Sequence, residues 1–343
     1  MLVSTGARPL LPPIKGLDLK GIFPLRNLED GVAIKDYISR RLSNHGIIAG
    51  AGYIGMEMAE AFRERDINVT VVEKMPTILG SMDDEITEVI ETELLNHGVT
   101  LIKSRKIIGF EGRDSVARTV LDNGNSLQSD IVVISTGIKP NSEIAGDAGI
   151  ELGRSGAIHV NNNMETNIPD IYAAGDCAEA FHLIYGRNSY IPLGTTANKQ
   201  GRIAGTNMAG GSASFNGIVG TSTFKVFNLE VARTGITEKE AQHEGIDYVS
   251  NTIEQTSRAH YYPGASQIRV KLVADRHSHR LLGAQMVGKE GVSKRIDIFA
   301  TAITSKMTVH DVENLDLGYA PPFAPVYDAV LIAARELQKK MIN

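Results

Sequence analysis

The chain has 343 residues, with 35 Lys and Arg against 40 Asp and Glu for a formal charge of −5. At 42% hydrophobic and 22% charged residues it has the composition of an ordinary globular protein, long enough for two or three domains. Its single cysteine excludes an intrachain disulfide framework and a multi-cysteine zinc site. No apolar run is long enough for a transmembrane helix, and the mild acidity speaks against a nucleic-acid partner.

The first residues carry no signal-peptide pattern, so a reducing cytoplasm is the expected compartment. Leu2-Val3 reads as the end of a buried strand, running into Thr5-Gly6 and Pro9 with nothing before it to pair with. Residues 27–42 place Leu28, Val32, Ile34, Tyr37, Ile38 and Leu42 at spacings near three and four, which predicts a helix. Gly46 to Ala49 predicts a short strand, Met56 to Arg65 a helix, and Val69 to Val72 a second strand. A further helix is expected from Asp83, a good N-cap, to Asn96, with His97-Gly98 as its stop. Strands follow at 101–102, 107–108, 117–121 and 131–134, with a turn at 122–125. Residues 136–215 read as loop-rich, with one strand at 171–174, a helix from Thr195 to Met208 and a linker at 210–214. Beyond 218 the pattern gives strands at 223–227, 267–273 and 281–287, then helices near 293–306 and 326–340.

One motif carries chemistry on its own. Gly50-x-Gly52-x-x-Gly55 follows a strand and opens a helix, and Glu73 ends the next strand. Gly50 allows the tight turn, Gly52 lets backbone approach a pyrophosphate, and Gly55 lets helix and strand lie close; Tyr53 and Ile54 fill the turn between. The helix N-terminus offers unpaired N–H groups to phosphate. Glu73 would accept hydrogen bonds from the adenosine ribose and repel a 2′-phosphate, which favours NADH over NADPH. The motif says that a dinucleotide binds and names no reaction.

Four blocks in order resemble the pyridine nucleotide–disulfide oxidoreductases, and within them the single-cysteine branch of CoA-disulfide reductases and NADH oxidases and peroxidases. They are Thr5-Gly6-Ala7-Arg8-Pro9, Gly50 to Glu73, Thr136-Gly137-Ile138-Lys139-Pro140-Asn141, and Ile171 to Ala178 with its Gly175-Asp176. The resemblance implies an α/β fold. A Rossmann-like NAD(P)-binding domain at 27–136 would be inserted in an incomplete FAD-binding domain, 1–26 and 137–217, with an α+β dimerisation domain at 218–343. It implies FAD and NAD(P)H as cofactors and a homodimer. Hydride would pass from NAD(P)H to FAD and on to a cysteine that reduces CoA disulfide, a persulfide or a polysulfide.

Roles follow position by position from the resemblance. Gly6 belongs to the first crossing, which leaves the FAD domain. Gly175 and Asp176 would meet the ribityl chain of FAD. Pro192, Leu193, Gly194, Thr195 and Ala197 would set a helix N-terminus against the flavin ring. Tyr53 would cover the flavin face, with Glu57 beside it on the same helix face, and Gly137 and Thr223 would contact the nicotinamide side. Asp316 to Pro325 resembles the Y-x-P-P-F segment of CoA-disulfide reductases. Tyr319, protonated at neutral pH with an ordinary pKa of about 10, would donate a proton to a leaving thiolate. The run 260–264 supplies a second tyrosine, Tyr261 or Tyr262, with Tyr261 favoured.

The resemblance also breaks. The family's first FAD-binding turn and its Ser-x-x-x-Cys precede the Thr5–Pro9 block, and neither occurs in this sequence. The chain therefore reads as lacking the redox cysteine and as inactive alone. Cys177 follows the FAD motif and reads as a packed thiol. Two other readings stand beside the reductase: an NADH oxidase or peroxidase, and a non-catalytic NAD-binding and dimerisation module. His277 and His279 have no third ligand nearby, so no metal is expected. Nor is a membrane or nucleic-acid partner.

Overall fold

The computed structural model describes residues 1–41 and 43–342. Leu42, the last apolar position of the first expected helix, lies outside the described residues. The chain forms two compact units. One comprises 9–138 and 224–231; the other comprises 1–8, 139–223 and 232–343.

The 9–138 unit is built on five parallel strands in the order Ile22–Pro24, Ile131–Ile134, His45–Ala49, Asn68–Val72 and Thr100–Ile102. The strand Ile131–Ile134 is apolar and buried throughout, as expected where both faces of a parallel sheet are covered. Helices Leu28–Arg40, Tyr53–Arg63 and Asp84–Asn96 belong to the same unit. Asn27 closes a capping box with Asp30, so the first helix begins one residue later than the periodicity predicts. Asp83 takes the N-cap position expected of it. A three-stranded antiparallel sheet, Ile107–Gly112, Val116–Leu121 and Ser126–Gln128, packs Phe110, Val116 and Leu121 against Ile47, Val132 and Ile134.

In the other unit, Leu2–Val3 is not left unpaired. It lies parallel to Tyr172–Ala173, in the register Leu2 to Tyr172 and Val3 to Ala173. The first and second crossing blocks also meet here. Asn141 donates from its backbone to Gly6 O at 2.9 Å and from Nδ2 to Thr5 O at 2.9 Å, and it accepts from Arg8 Nη1 at 2.6 Å. Residues 136–215 hold more structure than the sequence reading assigned. They contain the helix Glu143–Asp147 and the short strands Ile138–Pro140, Ala180–His182 and Arg187–Ser189. Elements of three to five residues are too short for a periodicity to register.

The C-terminal part forms a five-stranded sheet in the order Ser222–Val226, Leu229–Gly235, Leu281–Gly288, Gln267–Asp275, Tyr248–Thr256. Helices Val292–Thr304, Val309–Glu313 and Ala329–Ile342 contribute to its core. Leu229–Gly235 and the nine-residue Tyr248–Thr256 are absent from the sequence reading. Tyr248–Thr256 is polar and mostly half-buried, and it owes its conformation to the antiparallel register with 267–275.

Candidate functional site

At the C-terminal end of strand His45–Ala49 the chain turns sharply at Gly50, with φ 102°. Only glycine adopts this conformation readily, and a Cβ there would stand 2.7 Å from the Ser135 carbonyl oxygen. A Cβ on Gly55 would run into the Gly50 carbonyl, so that glycine lets the helix Tyr53–Arg63 close on the turn. Gly52, the N-cap of this helix, differs from both. A Cβ built on it meets nothing within 4 Å, and the helix start carries no side-chain cap. Open space in front of uncapped N–H groups is what an anionic ligand requires.

The turn is braced from two sides. Ser135 Oγ donates to Ala49 O at 3.1 Å and Gly50 O at 2.9 Å. Glu73 accepts from the Ala51 N–H at 2.8 Å through one oxygen and from the Met75 N–H at 2.8 Å through the other. Each oxygen keeps lone-pair capacity for a ribose hydroxyl, so Glu73 can shape the turn and read a ligand together. Two residues beyond Ser135 lies Gly137, exposed, with φ 111° and open space around its Cβ position. The adjacent parallel strands His45–Ala49 and Ile131–Ile134 thus deliver Gly50 and Gly137 to one end of the sheet, where open α/β sheets bind ligands. The sequence reading missed Ser135; its only signal is a hydroxyl at the end of an apolar strand.

Tyr53 and Glu57 are both exposed, on one face of the helix, with Ile54 half-buried between them. The Tyr53 ring lies 6.2 Å from that of Phe224. The Glu57 carboxyl is held above its ordinary pKa, first by partial loss of water and then by the charge of Glu60. A raised carboxyl pKa means that the folded state binds the acid better than the anion, so the ionised group costs stability above its ordinary range. Glu57→Gln is therefore expected to raise the melting temperature slightly at about pH 7 and not at about pH 4, as thermal unfolding at the two pH values would report. A carboxylate kept at some cost to stability suits a functional face.

In the second unit, Gly175 has φ 87° and donates its N–H to Gln200 Oε1 at 2.9 Å. The buried Gln200 amide in turn donates to Glu179 O at 2.8 Å, and Tyr190 donates to Asp176 O at 2.9 Å. A Cβ on Gly175 would come no nearer than 3.9 Å to Ala197, in the first turn of helix Gly194–Met208. The Gly175-Asp176 loop and this helix start therefore lie together. Pro192 and Leu193 are half-buried, Gly194 and Thr195 are exposed, and no side chain caps the helix. These residues fit a flavin: a glycine loop for close approach and an open positive helix end. Thr223 is exposed, and Gly6 has φ 66° with open space at its Cβ position.

Tyr319 and Tyr261 lie near each other within one chain, and the neighbouring Tyr261 hydroxyl raises the Tyr319 pKa above its ordinary value. Both rings are accessible, Tyr319 at 47% and Tyr261 at 65%. Tyr262 turns elsewhere, its ring 5.9 Å from the Arg258 guanidinium carbon. Cys177 is fully buried, its thiol directed at Ala174 O at 3.4 Å and Val3 O at 3.6 Å. His277 pairs with Asp247 at 3.1 Å, and among the described residues no three ligating side chains gather for a metal. Among the same residues no helix is long and apolar enough to cross a membrane.

A Rossmann-type dinucleotide turn, a second glycine loop beside an open helix start, and a C-terminal sheet-and-helix part define a two-nucleotide oxidoreductase of mixed α/β class. The chain belongs to the pyridine nucleotide-disulphide oxidoreductases, whose sequence model matches residues 1–201, with the family's dimerisation domain matching 221–330. It is 42% identical to the NAD(P)H sulfur oxidoreductase (CoA-dependent) of Pyrococcus furiosus, over 98% of this chain and 76% of that protein. It is 36% identical to an NADH oxidase of Methanocaldococcus jannaschii, over 100% of this chain and 76% of that protein. The solved structure of an NAD-dependent persulfide reductase from A. fulgidus superposes with a TM-score of 0.96 at 41% identity, covering 99% of this chain. This chain spans 63% of that solved chain.

Proposed function

We propose that this chain supplies the NAD(P)H-binding, flavin-facing and dimerisation parts of an NAD(P)H:disulfide oxidoreductase acting on CoA disulfide, a persulfide or a polysulfide. FAD and NAD(P)H, when bound, supply the two-electron chemistry. Residues 50–57 and 73 hold the nicotinamide dinucleotide, with Gly52 leaving room for the pyrophosphate. Glu73 favours NADH, because a second negative charge beside its carboxylate would be repelled. Gly175, Asp176 and the start of helix Gly194–Met208 hold the flavin side. We assign the exposed face that carries Tyr261, Tyr319, Phe323 and Tyr327 to a second copy of the chain, as a homodimer requires.

The observation that carries the reductase reading is the exposed Tyr319, with the exposed Tyr261 near it. A protonated phenol held at an accessible surface can deliver a proton to a thiolate as it leaves. An oxidase has no evident use for it, although a relative named NADH oxidase keeps that reaction as the second reading. Cys177 is enclosed and is the one cysteine of the sequence, so we read the chain by itself as lacking the exchanging thiol.

The test follows NADH oxidation and thiol release together in flavin-loaded protein to which an exchanging thiol has been supplied, given CoA disulfide or polysulfide. Thiol released in step with NADH consumed is expected. Oxygen uptake with no thiol release would assign the oxidase reaction instead. The 343-residue chain alone should bind NADH and release no thiol; release that Cys177→Ala abolished would overturn the reading of Cys177.

A further inference from the structure

Helix Tyr53–Arg63 carries Tyr53, Glu57 and Glu60 along one face, at spacings of four and three. The segment 224–231, part of the same compact unit, meets that face at two places. At the first, the Phe224 ring lies 6.2 Å from the Tyr53 ring and is tilted by 39°, inside the range of aromatic pairs. At the second, Glu60 accepts from the Lys225 ammonium and, at 2.6 Å, from the Phe227 N–H. The two contacts agree in spacing. From Tyr53 to Glu60 the helix rises about 10 Å, and from Phe224 to Phe227 an extended chain spans about 10 Å. The strand Ser222–Val226 can therefore lie along the helix with both contacts made at once.

The end of this strand is tied down further. Phe227 is a bulky residue at φ 50°, a left-handed backbone that costs free energy and persists only where its surroundings over-determine it. The His97 ring supplies part of that, stacked 4.1 Å from the Phe227 ring at 14°. Asn228 supplies more, donating its backbone N–H and its Nδ2 to Glu93 Oε1 at 3.1 and 3.0 Å. Glu93 lies in helix Asp84–Asn96, and His97 is its C-cap. Residues 225–228 are thus bonded to two helices, and the half-buried Phe224 is delivered to Tyr53 by a segment held at both. Tyr53 is 43% exposed in the first turn of its helix, next to the open Gly52. Exposed side chains change rotamer within nanoseconds, and an aromatic neighbour on a fixed strand restrains this one.

We propose that Phe224 is a positioning residue for Tyr53, keeping its ring in one rotamer at the start of the dinucleotide helix. The consequence for binding rests on the reading of residues 50–57 as the dinucleotide site; the restraint on the ring does not. The experiment reads χ1 of Tyr53 by NMR, from the three-bond couplings of Cγ to the backbone N and C′, with the signal assigned by Tyr53→Phe. Calorimetry gives the affinities for NADH and for ADP-ribose, which lacks the nicotinamide ring. The native chain should show a single Tyr53 rotamer. Phe224→Leu should show averaged couplings and bind NADH about 2- to 10-fold more weakly, the cost of ordering one side chain, with ADP-ribose affinity unchanged. Phe224→Tyr, which keeps a ring, should behave as the native chain. A folded Phe224→Leu protein that keeps one Tyr53 rotamer would overturn the proposal. So would one that shifts both affinities alike, or neither, where Tyr53→Leu shifts their ratio. If Phe224→Leu does not fold, Phe224→Met is judged by the same criteria. Should Tyr53→Leu leave the ratio of the two affinities at its native value, the dinucleotide reading of Tyr53 fails, while the couplings still decide the role of Phe224.

Discussion

Gly52→Val should leave the fold intact and remove NADH binding. The two consequences separate because a side chain at this position meets nothing within 4 Å in the protein and would project into the space before the helix N-terminus. A ligand phosphate kept from those N–H groups loses one or two charge-assisted hydrogen bonds, each about 1.5–3 kcal/mol. A loss of 2–3 kcal/mol is roughly a 30- to 150-fold weaker affinity. The measurement is the NADH-dependent rise in melting temperature, with isothermal titration for the constant. Gly55→Ala is the contrasting variant. Its Cβ meets the Gly50 carbonyl, so it should cost stability, about 1–3 kcal/mol as overpacking does, even with no ligand present. Equal NADH affinity in Gly52→Val and the native protein would exclude this turn as the pyrophosphate site.

Tyr319→Phe should lower thiol release from CoA disulfide by about 100- to 10,000-fold, the range for a positioned general acid, and leave NADH affinity unchanged. The ring remains, so packing is kept, and only the hydroxyl with its proton is lost. Because Tyr261 holds the Tyr319 pKa above its ordinary value, the native enzyme should keep its donor protonated throughout the neutral range and lose activity only at strongly alkaline pH. Steady-state rates across pH in flavin-loaded protein to which an exchanging thiol has been supplied would check both statements. A Tyr319→Phe protein of undiminished rate would show that the leaving thiolate takes its proton from elsewhere.

Much of the proposed nucleotide site is legible in the chain because its requirements are local. Gly50 must adopt a positive φ, Gly55 must have no Cβ, and Gly52 must leave space, and each demand concerns residues within one turn. Ser135 was not legible, since its hydroxyl braces Gly50 from 85 residues away. The strand Tyr248–Thr256 escaped for a related reason. Ser250, Asn251 and Thr252 read as loop until paired with Val273, Leu272 and Lys271. The pairing of Leu2–Val3 with Tyr172–Ala173 is equally non-local.

The sequence by itself determined the family, the order of its nucleotide-binding blocks and the choice of Glu73, Tyr319 and the 260–264 run as chemically informative positions. Those properties are carried by short motifs whose backbone geometry is set by neighbouring residues. Only the tertiary structure decided that the Cys177 thiol is closed off and that Arg295 bonds to both tyrosine segments. The placing of two irregular segments depends in part on what packs beneath them. Here that is a guanidinium–carboxylate pair whose members stand 33 residues apart, a separation at which no periodicity or local propensity speaks.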